Sequence, residues 1–227
     1  MWTNYARDRF MFPEMSAFTE ANLRDLASQT SVQDRYLNSY VLNSILRGHF
    51  DDPKHEQLGF NFQRRAQIAF VEYAVARADT LRYLAALPDV SLSDYATALH
   101  HWETTLAALW QGLCLLGRFS DPAAKWYENG DGSKFERLNH MYNRMKHVDK
   151  AITAGQVLPD SMTPVWLAND GLKSVDHVLT YEEIAELLTD MEEVATLIQD
   201  PVALGQRQQM LKDAAVAAEG ATLTEGS

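Results

Sequence analysis

The stretch Gln63–Leu87, QRRAQIAFVEYAVARADTLRYLAAL, runs without a glycine or a proline. It is rich in Ala, Arg and Leu, which lose little side-chain freedom in a helix. The composition predicts a long helix, ended by Pro88, whose ring cannot continue the hydrogen-bond ladder. Ser91 or Ser93 supplies an N-cap for a second helix, predicted to run to about Leu116 and stop at Gly117. Its inner face is Leu99, Trp102, Leu106, Leu109, Trp110 and Leu113. Two helices of this length joined by a short connector imply an antiparallel pair.

Upstream, a short helix is predicted at Glu20–Ser28, then a longer one at Val32–Leu46. The second shows Tyr36, Val41, Leu42, Ile45 and Leu46 on one side. Residues His49–Gly59, with Asp51-Asp52-Pro53, read as a loop. Downstream, Asn129-Gly130-Asp131-Gly132-Ser133 is a dense breaker, and Ser133 caps a helix predicted from Lys134 to about Ala154, ended by Gly155. Thr163–Leu167 reads as extended and Asn169-Asp170-Gly171 as a turn, with Val175–Leu179 as the partner in a small hairpin or ordered loop. Thr180 and Glu183 have capping-box spacing. The helix that follows repeats Ile184, Leu187, Leu188, Met191, Val194, Ala195 and Ile198, with acids opposite, and Pro201 breaks it. The expected fold is all-α: an up-and-down bundle of five or six helices in one domain over residues 1–200, then a C-terminal helix and frayed tail over 201–227.

The formal net charge is −11, which excludes a general nucleic-acid coater. Hydrophobic residues make up 46% of the chain, enough for a sizeable core. The lone Cys114, inside Leu113-Cys114-Leu115-Leu116, reads as a buried small hydrophobe and fits a reducing compartment. The N-terminus lacks a signal-peptide pattern, and the longest apolar runs are about half of the roughly 20 residues that a membrane span needs, so the expected location is cytoplasmic, with no membrane partner. Glycine-rich phosphate loops, a Gly-x-Ser-x-Gly elbow and His-Glu-x-x-His are all lacking. His100 and Glu103 are spaced to share an ion, but with no second ligand cluster they read as a polar face. Trp102, Trp110 and Trp166 read as core contacts rather than a ligand box. No metal and no cofactor is implied.

The helix from Lys134 carries the chemistry. Phe135, Leu138, Met141, Tyr142, Met145, Val148 and Ile152 form an apolar stripe. Arg137, His140, Arg144 and His147 form a second stripe, and Asn139, Asn143, Lys146 and Lys150 a third. Asn143 and His147 are i, i+4 neighbours whose side chains can meet. Five Lys or Arg against Glu136 and Asp149 make Lys134–Lys150 a +3 segment in an acidic protein, which suits an anion. The competing reading is a solvated face whose charges pair with acids elsewhere.

Tyr142-Asn143-Arg144-Met145-Lys146-His147 resembles the motif helix of the HEPN superfamily. That family's motif is an Arg, commonly followed by a polar residue such as Asn, with a His four to six residues later. The matching parts here are Asn143 and His147, and two long antiparallel helices before the motif helix also fit the family's layout. The Asn-Arg-x-Lys-His form, followed by Pro164-Val165-Trp166-Leu167-x-Asn169-Asp170-Gly171, is similar to uncharacterised bacterial branches of the family. The resemblance covers roughly residues 63–198. It implies a helical bundle, usually a homodimer, and a metal-independent endoribonuclease of toxin or phage-defence type, whose partners are RNA or a nucleotide and an antitoxin or other protein. His147 would be the acid–base group, Arg144 the phosphate binder and Asn143 an orienting group, with Lys146, Arg137, His140 and Lys150 adding charge for an anion or RNA. Tyr142 stands where the family has its phosphate-stabilising Arg, so Arg144 or Arg137 would have to substitute. The alternatives are a catalytically inactive HEPN-like bundle that binds nucleotide, RNA or protein, and a helical interaction scaffold.

Overall fold

The computed structural model describes residues 8–9, 11–27, 36–47, 52–89, 91–120, 125–158, 161–200, 202, 204–206 and 210. Helices α1 (Tyr36–Arg47), α2 (Pro53–Ala85), α3 (Leu92–Ser120), α4 (Lys134–Lys146) and α5 (Val148–Thr153) precede three short strands, β1 (Trp166–Leu167), β2 (Gly171–Lys173) and β3 (Val178–Thr180), and helix α6 (Tyr181–Ile198). The fold is therefore mostly helical, with a small antiparallel sheet of order β1-β2-β3. No helix among the described residues is long and apolar enough to cross a membrane.

Helices α2 and α3 form the frame. Trp102 Nε1 donates to Thr80 Oγ1 at 2.9 Å, and a Cβ on Gly112 would lie 3.6 Å from the Arg65 Cβ. Later positions of α3 thus meet earlier positions of α2, the expected antiparallel register. Ser91 Oγ accepts from the Asp94 amide and opens α3. Leu99, Trp102, Leu106, Leu109 and Leu113 are buried as expected, and Trp110 is half-buried. Trp166 is buried as well.

Both long helices exceed their expected bounds. Helix α2 begins at Pro53, inside the stretch read as a loop, because Asp52 caps it by accepting from the Lys54 amide and Pro53 occupies the first turn. A proline there loses no ladder bond. Helix α3 passes Gly117 and ends at Ser120. Residues 20–26 are not helical, against the short helix expected there. Residues 32–35 of the next expected helix lie outside the described residues. Over Tyr36–Arg47 the helix is present and Tyr36 is buried as expected, but Tyr40 and Ser44 share that inner face, while Val41, Leu42, Ile45 and Leu46 are exposed. The phenols decide the orientation, since the Tyr40 hydroxyl donates to the Glu56 carbonyl at 2.9 Å while its ring packs over Gly59. Cys114 is exposed, correcting its reading as a core residue. Within 201–227 the described positions 202 and 204–206 are helical and Leu204 is buried in the core. Residues 211–227 lie outside the description.

The expected hairpin is a three-stranded sheet with different pairing. Trp166 and Leu167 pair with Lys173 and Leu172, and β3 adds to the other edge of β2. Gly171 makes this possible, because a Cβ there would sit 2.2 Å from the Leu179 carbonyl oxygen. Two tyrosines clamp the sheet to the helices. The Leu167 amide donates to the Tyr95 hydroxyl at 2.8 Å, and the Tyr181 hydroxyl donates to the Ala168 carbonyl at 3.0 Å. The Thr180–Glu183 capping box forms in full, so β3 passes into α6 with no residue between them. Ile184, Leu187, Leu188, Met191, Ala195 and Ile198 are buried as the spacing predicts.

Candidate functional site

Helix α4 is anchored at its start. Ser133 Oγ accepts from the Glu136 amide, and the Glu136 carboxylate accepts from the Gly130 and Gly132 amides, at 2.5 and 2.8 Å. Those two N–H groups hold the Glu136 carboxyl below its ordinary pKa. Gly130 and Gly132 have φ of 83° and 66°, which a side chain would disfavour. Lys134 reaches Glu186 and Asp190, and Arg137 is held by Glu183 and the Gly132 carbonyl. Arg137 and Lys134 are thus spent on α6, as the solvated-face reading requires.

The expected helix to Ala154 is broken at His147, whose φ of −122° and ψ of 50° leave the helical region. The amide of His147 still donates to the Asn143 carbonyl, and its carbonyl accepts from the Ala151 amide, so α5 follows directly. The break redirects the apolar stripe. Leu138 and Met141 are buried, whereas Val148 and Ile152 are exposed, contrary to their predicted inner position.

At this break lies a cleft of about 390 Å³, lined by His140, Asn143, Arg144, His147, Lys150, Ala151, Gln156, Asp176 and His177. Five of the residues singled out in the sequence meet here: His140, Asn143, Arg144, His147 and Lys150. Arg137 and Lys146 do not line it. Lys146 projects elsewhere, its ammonium 5.6 Å from the Tyr142 ring centroid, and these two line a groove against α3. The Asn143 side chain does not bond the His147 ring. Its amide donates to Asn139 Oδ1 at 2.9 Å.

Arg144 is buried and committed to two partners. One amino group donates to the Gln156 carbonyl at 2.7 Å and the other to Asp176 Oδ2 at 2.5 Å. A guanidinium has five N–H donors, so some remain after these two bonds. Lys150 is exposed and, among the described residues, has no side-chain partner.

The sequence reading missed Asp176 and His177, which sit in the turn between β2 and β3. The Ser174 amide donates to the His177 carbonyl at 2.9 Å and closes that turn. His177 stacks on His140, with ring centroids 4.3 Å apart and planes 17° apart. Burial, reinforced by His140 and Arg144, holds the His177 imidazole below its ordinary pKa. His140 in turn faces the Glu136 carboxylate at 3.7 Å. No sequence spacing signals the His140–His177 pair, because the two residues lie far apart in the chain on separate elements.

His100 is exposed, and His101 is taken by Glu72 at 2.7 Å and Asp79 at 3.6 Å across α2. Among the described residues no group of three His, Cys, Asp or Glu side chains could hold a metal ion. Glu103 lies in the groove between α3 and α4 without a hydrogen-bond partner among the described residues, and burial pushes its pKa up to about 7.

No family model matches the chain, and neither a curated protein nor a solved structure matches it.

Proposed function

We propose that the cleft at the α4–α5 break binds an RNA phosphodiester and cleaves it without a metal, as an HEPN-like endoribonuclease. One observation carries this reading: three imidazoles, an arginine and an unpaired lysine from separate elements converge on one cleft in a protein of net charge −11. In this reading the neutral His177 accepts the proton of the 2′-hydroxyl as its oxygen attacks the adjacent phosphorus. His147 donates a proton to the departing 5′-oxygen. The products are a 2′,3′-cyclic phosphate and a free 5′-hydroxyl. Arg144 and Lys150 offset the charge that builds on the phosphoryl oxygens. Asn143 borders the cleft and orients the substrate. The helices would form the up-and-down bundle of the family, and two copies facing each other at the α4–α5 step would double the positive charge.

The second reading is a catalytically inactive HEPN-like domain that binds RNA, a nucleotide or a protein such as an antitoxin. It is favoured by the engagement of Arg144 with Asp176 and by the position of Tyr142, which faces Gln111 and Lys146 instead of the cleft.

The test is cleavage of mixed RNA by purified protein in EDTA, beside His147→Ala and His177→Ala. Cleavage that leaves 2′,3′-cyclic ends and is lost in both variants supports the nuclease, with a bell-shaped pH profile reporting a neutral base and a protonated acid. Cleavage that survives in both variants removes these histidines from the chemistry. RNA binding that weakens in Lys150→Ala, with no cleavage in any protein, favours the second reading.

A further inference from the structure

A second pocket, of about 390 Å³, lies where α2 and α3 meet, away from the histidine cleft and sharing no residue with it. Asn61 and Arg65 of α2 and Gln111, Cys114, Leu115 and Arg118 of α3 line it. Its two arginines differ from most of those among the described residues, where the exposed Arg64 is the other without a partner. Asp and Glu outnumber Lys and Arg by 31 to 20, so a cation near the core has acids available to it. Arg77 pairs with Asp25, Arg82 with Asp79, Arg137 with Glu183 and Arg144 with Asp176. Among the described residues, Arg65 and Arg118 have no ion-pair or hydrogen-bond partner. Arg65 is moreover half-buried, where an uncompensated guanidinium is unfavourable.

The stems are close enough to act together. Arg65 packs beside Gly112, and Arg118 lies six residues further along α3, about 9 Å at 1.5 Å per residue. Both side chains line the same pocket. The charge of Lys146 also reaches the Cys114 thiol beside them, together with that of Arg118. Leu115 and Cys114 add apolar surface to the lining, and the volume falls in the range of roughly 300–1,000 Å³ that holds small organic ligands.

We propose that this pocket binds a small phosphomonoester with an apolar body, its phosphate held by Arg65 and Arg118 and its body laid against Leu115 and Cys114. A phosphomonoester carries about −1.5 to −2 charges at neutral pH, which two guanidinium groups match and a single carboxylate does not. The planar forks of the arginines donate in pairs to its oxygens.

The single cysteine makes the pocket directly readable, because Cys114 is exposed in its wall and is the only thiol in the chain. The experiment follows the rate of Cys114 alkylation by N-ethylmaleimide at fixed pH with phenyl phosphate, inorganic phosphate, benzoate or a single-stranded oligonucleotide present. Phenyl phosphate at about ten times its Kd is expected to slow alkylation roughly tenfold. Inorganic phosphate, lacking the body, and benzoate, carrying one charge, are expected to protect far less. Arg65→Ala and Arg118→Ala should abolish protection, while His147→Ala, which alters the other cleft, should leave it intact. If Arg65→Ala fails to fold by circular dichroism, Arg118→Gln at its exposed position carries the test. Protection that persists in the arginine variants overturns the proposal, and so does its absence at about 10 mM phenyl phosphate, where even a weak site would fill. Protection by the oligonucleotide or benzoate alone also overturns it, in favour of a strand path or a carboxylate site.

Discussion

The two sides of α4 are built on opposite terms. On the cleft side the charges are matched: Arg144 is bound by Asp176 and the Gln156 carbonyl, and Glu136 accepts two backbone amides. On the side facing α3, among the described residues, Glu103 stands in a groove without a hydrogen-bond partner and Lys146 has only the Tyr142 ring. One helix thus joins a satisfied polar network to an unsatisfied groove. The difference teaches that positive charge in α4 is not one surface. The network positions the cleft, and the groove carries stored electrostatic cost.

Arg144→Ala should show the largest effect, a loss of about 3 kcal/mol, because it strands the Gln156 carbonyl and frees Asp176 beside the histidines. Urea denaturation measures it, and a loss below about 1 kcal/mol would mean that the network is not holding the turn to α4. Glu103→Gln should act in the opposite direction, stabilising by about 1–3 kcal/mol at pH 8. The sign follows from the raised pKa of about 7: the unfolded chain releases the proton at lower pH than the folded one, so stability falls as pH rises from about 4.5 to 7. The same substitution should be neutral at pH 4, and equal effects at both values would remove burial of the charge as the cause.

His177 should give a smaller, oppositely signed pH dependence. Its pKa is depressed, so its contribution is complete above the ordinary histidine range and declines as the pH falls through the folded value. His177→Gln should flatten that acid-side decline in melting temperature. Lys146→Ala should change stability by no more than about 0.5 kcal/mol, since a lone exposed cation over a ring contributes little. A larger loss would place Lys146 in the same kind of network as Arg144.

Much of the helical frame was legible in the sequence. The glycine- and proline-free run of α2, the Ser133 cap, the Thr180–Glu183 box and the inner face of α6 all act locally, and local signals survive in one dimension. Asp52-Pro53 misled because an N-cap followed by a first-turn proline uses the same residues as a turn. Helix α1 misled because its aliphatic residues outnumber the two tyrosines that tertiary contacts bury in their place. At the site, helical spacing gathered His140, Arg144 and His147 on one stripe. It did not foresee the break at His147, which also brings Lys150 to the cleft. Nor could it find Asp176 and His177, whose position depends on sheet pairing and on the close approach that Gly171 permits. Arg137 and Lys146 were drawn toward the site by charge and, for Arg137, by its place on the His147 stripe, and neither shows which acid a long side chain will meet.

The four-residue turn between β2 and β3, Ser174 to His177, supplies Asp176 and His177 to one wall of the cleft. Both of its ends are fixed, one by the pairing of β2 and the other by the direct passage of β3 into α6. Positions of that turn other than Asp176, which holds Arg144, can change while the helices around it keep their packing. Selection could therefore reshape that wall of the cleft by editing a handful of codons in the turn, leaving the histidine at the helix break where it is.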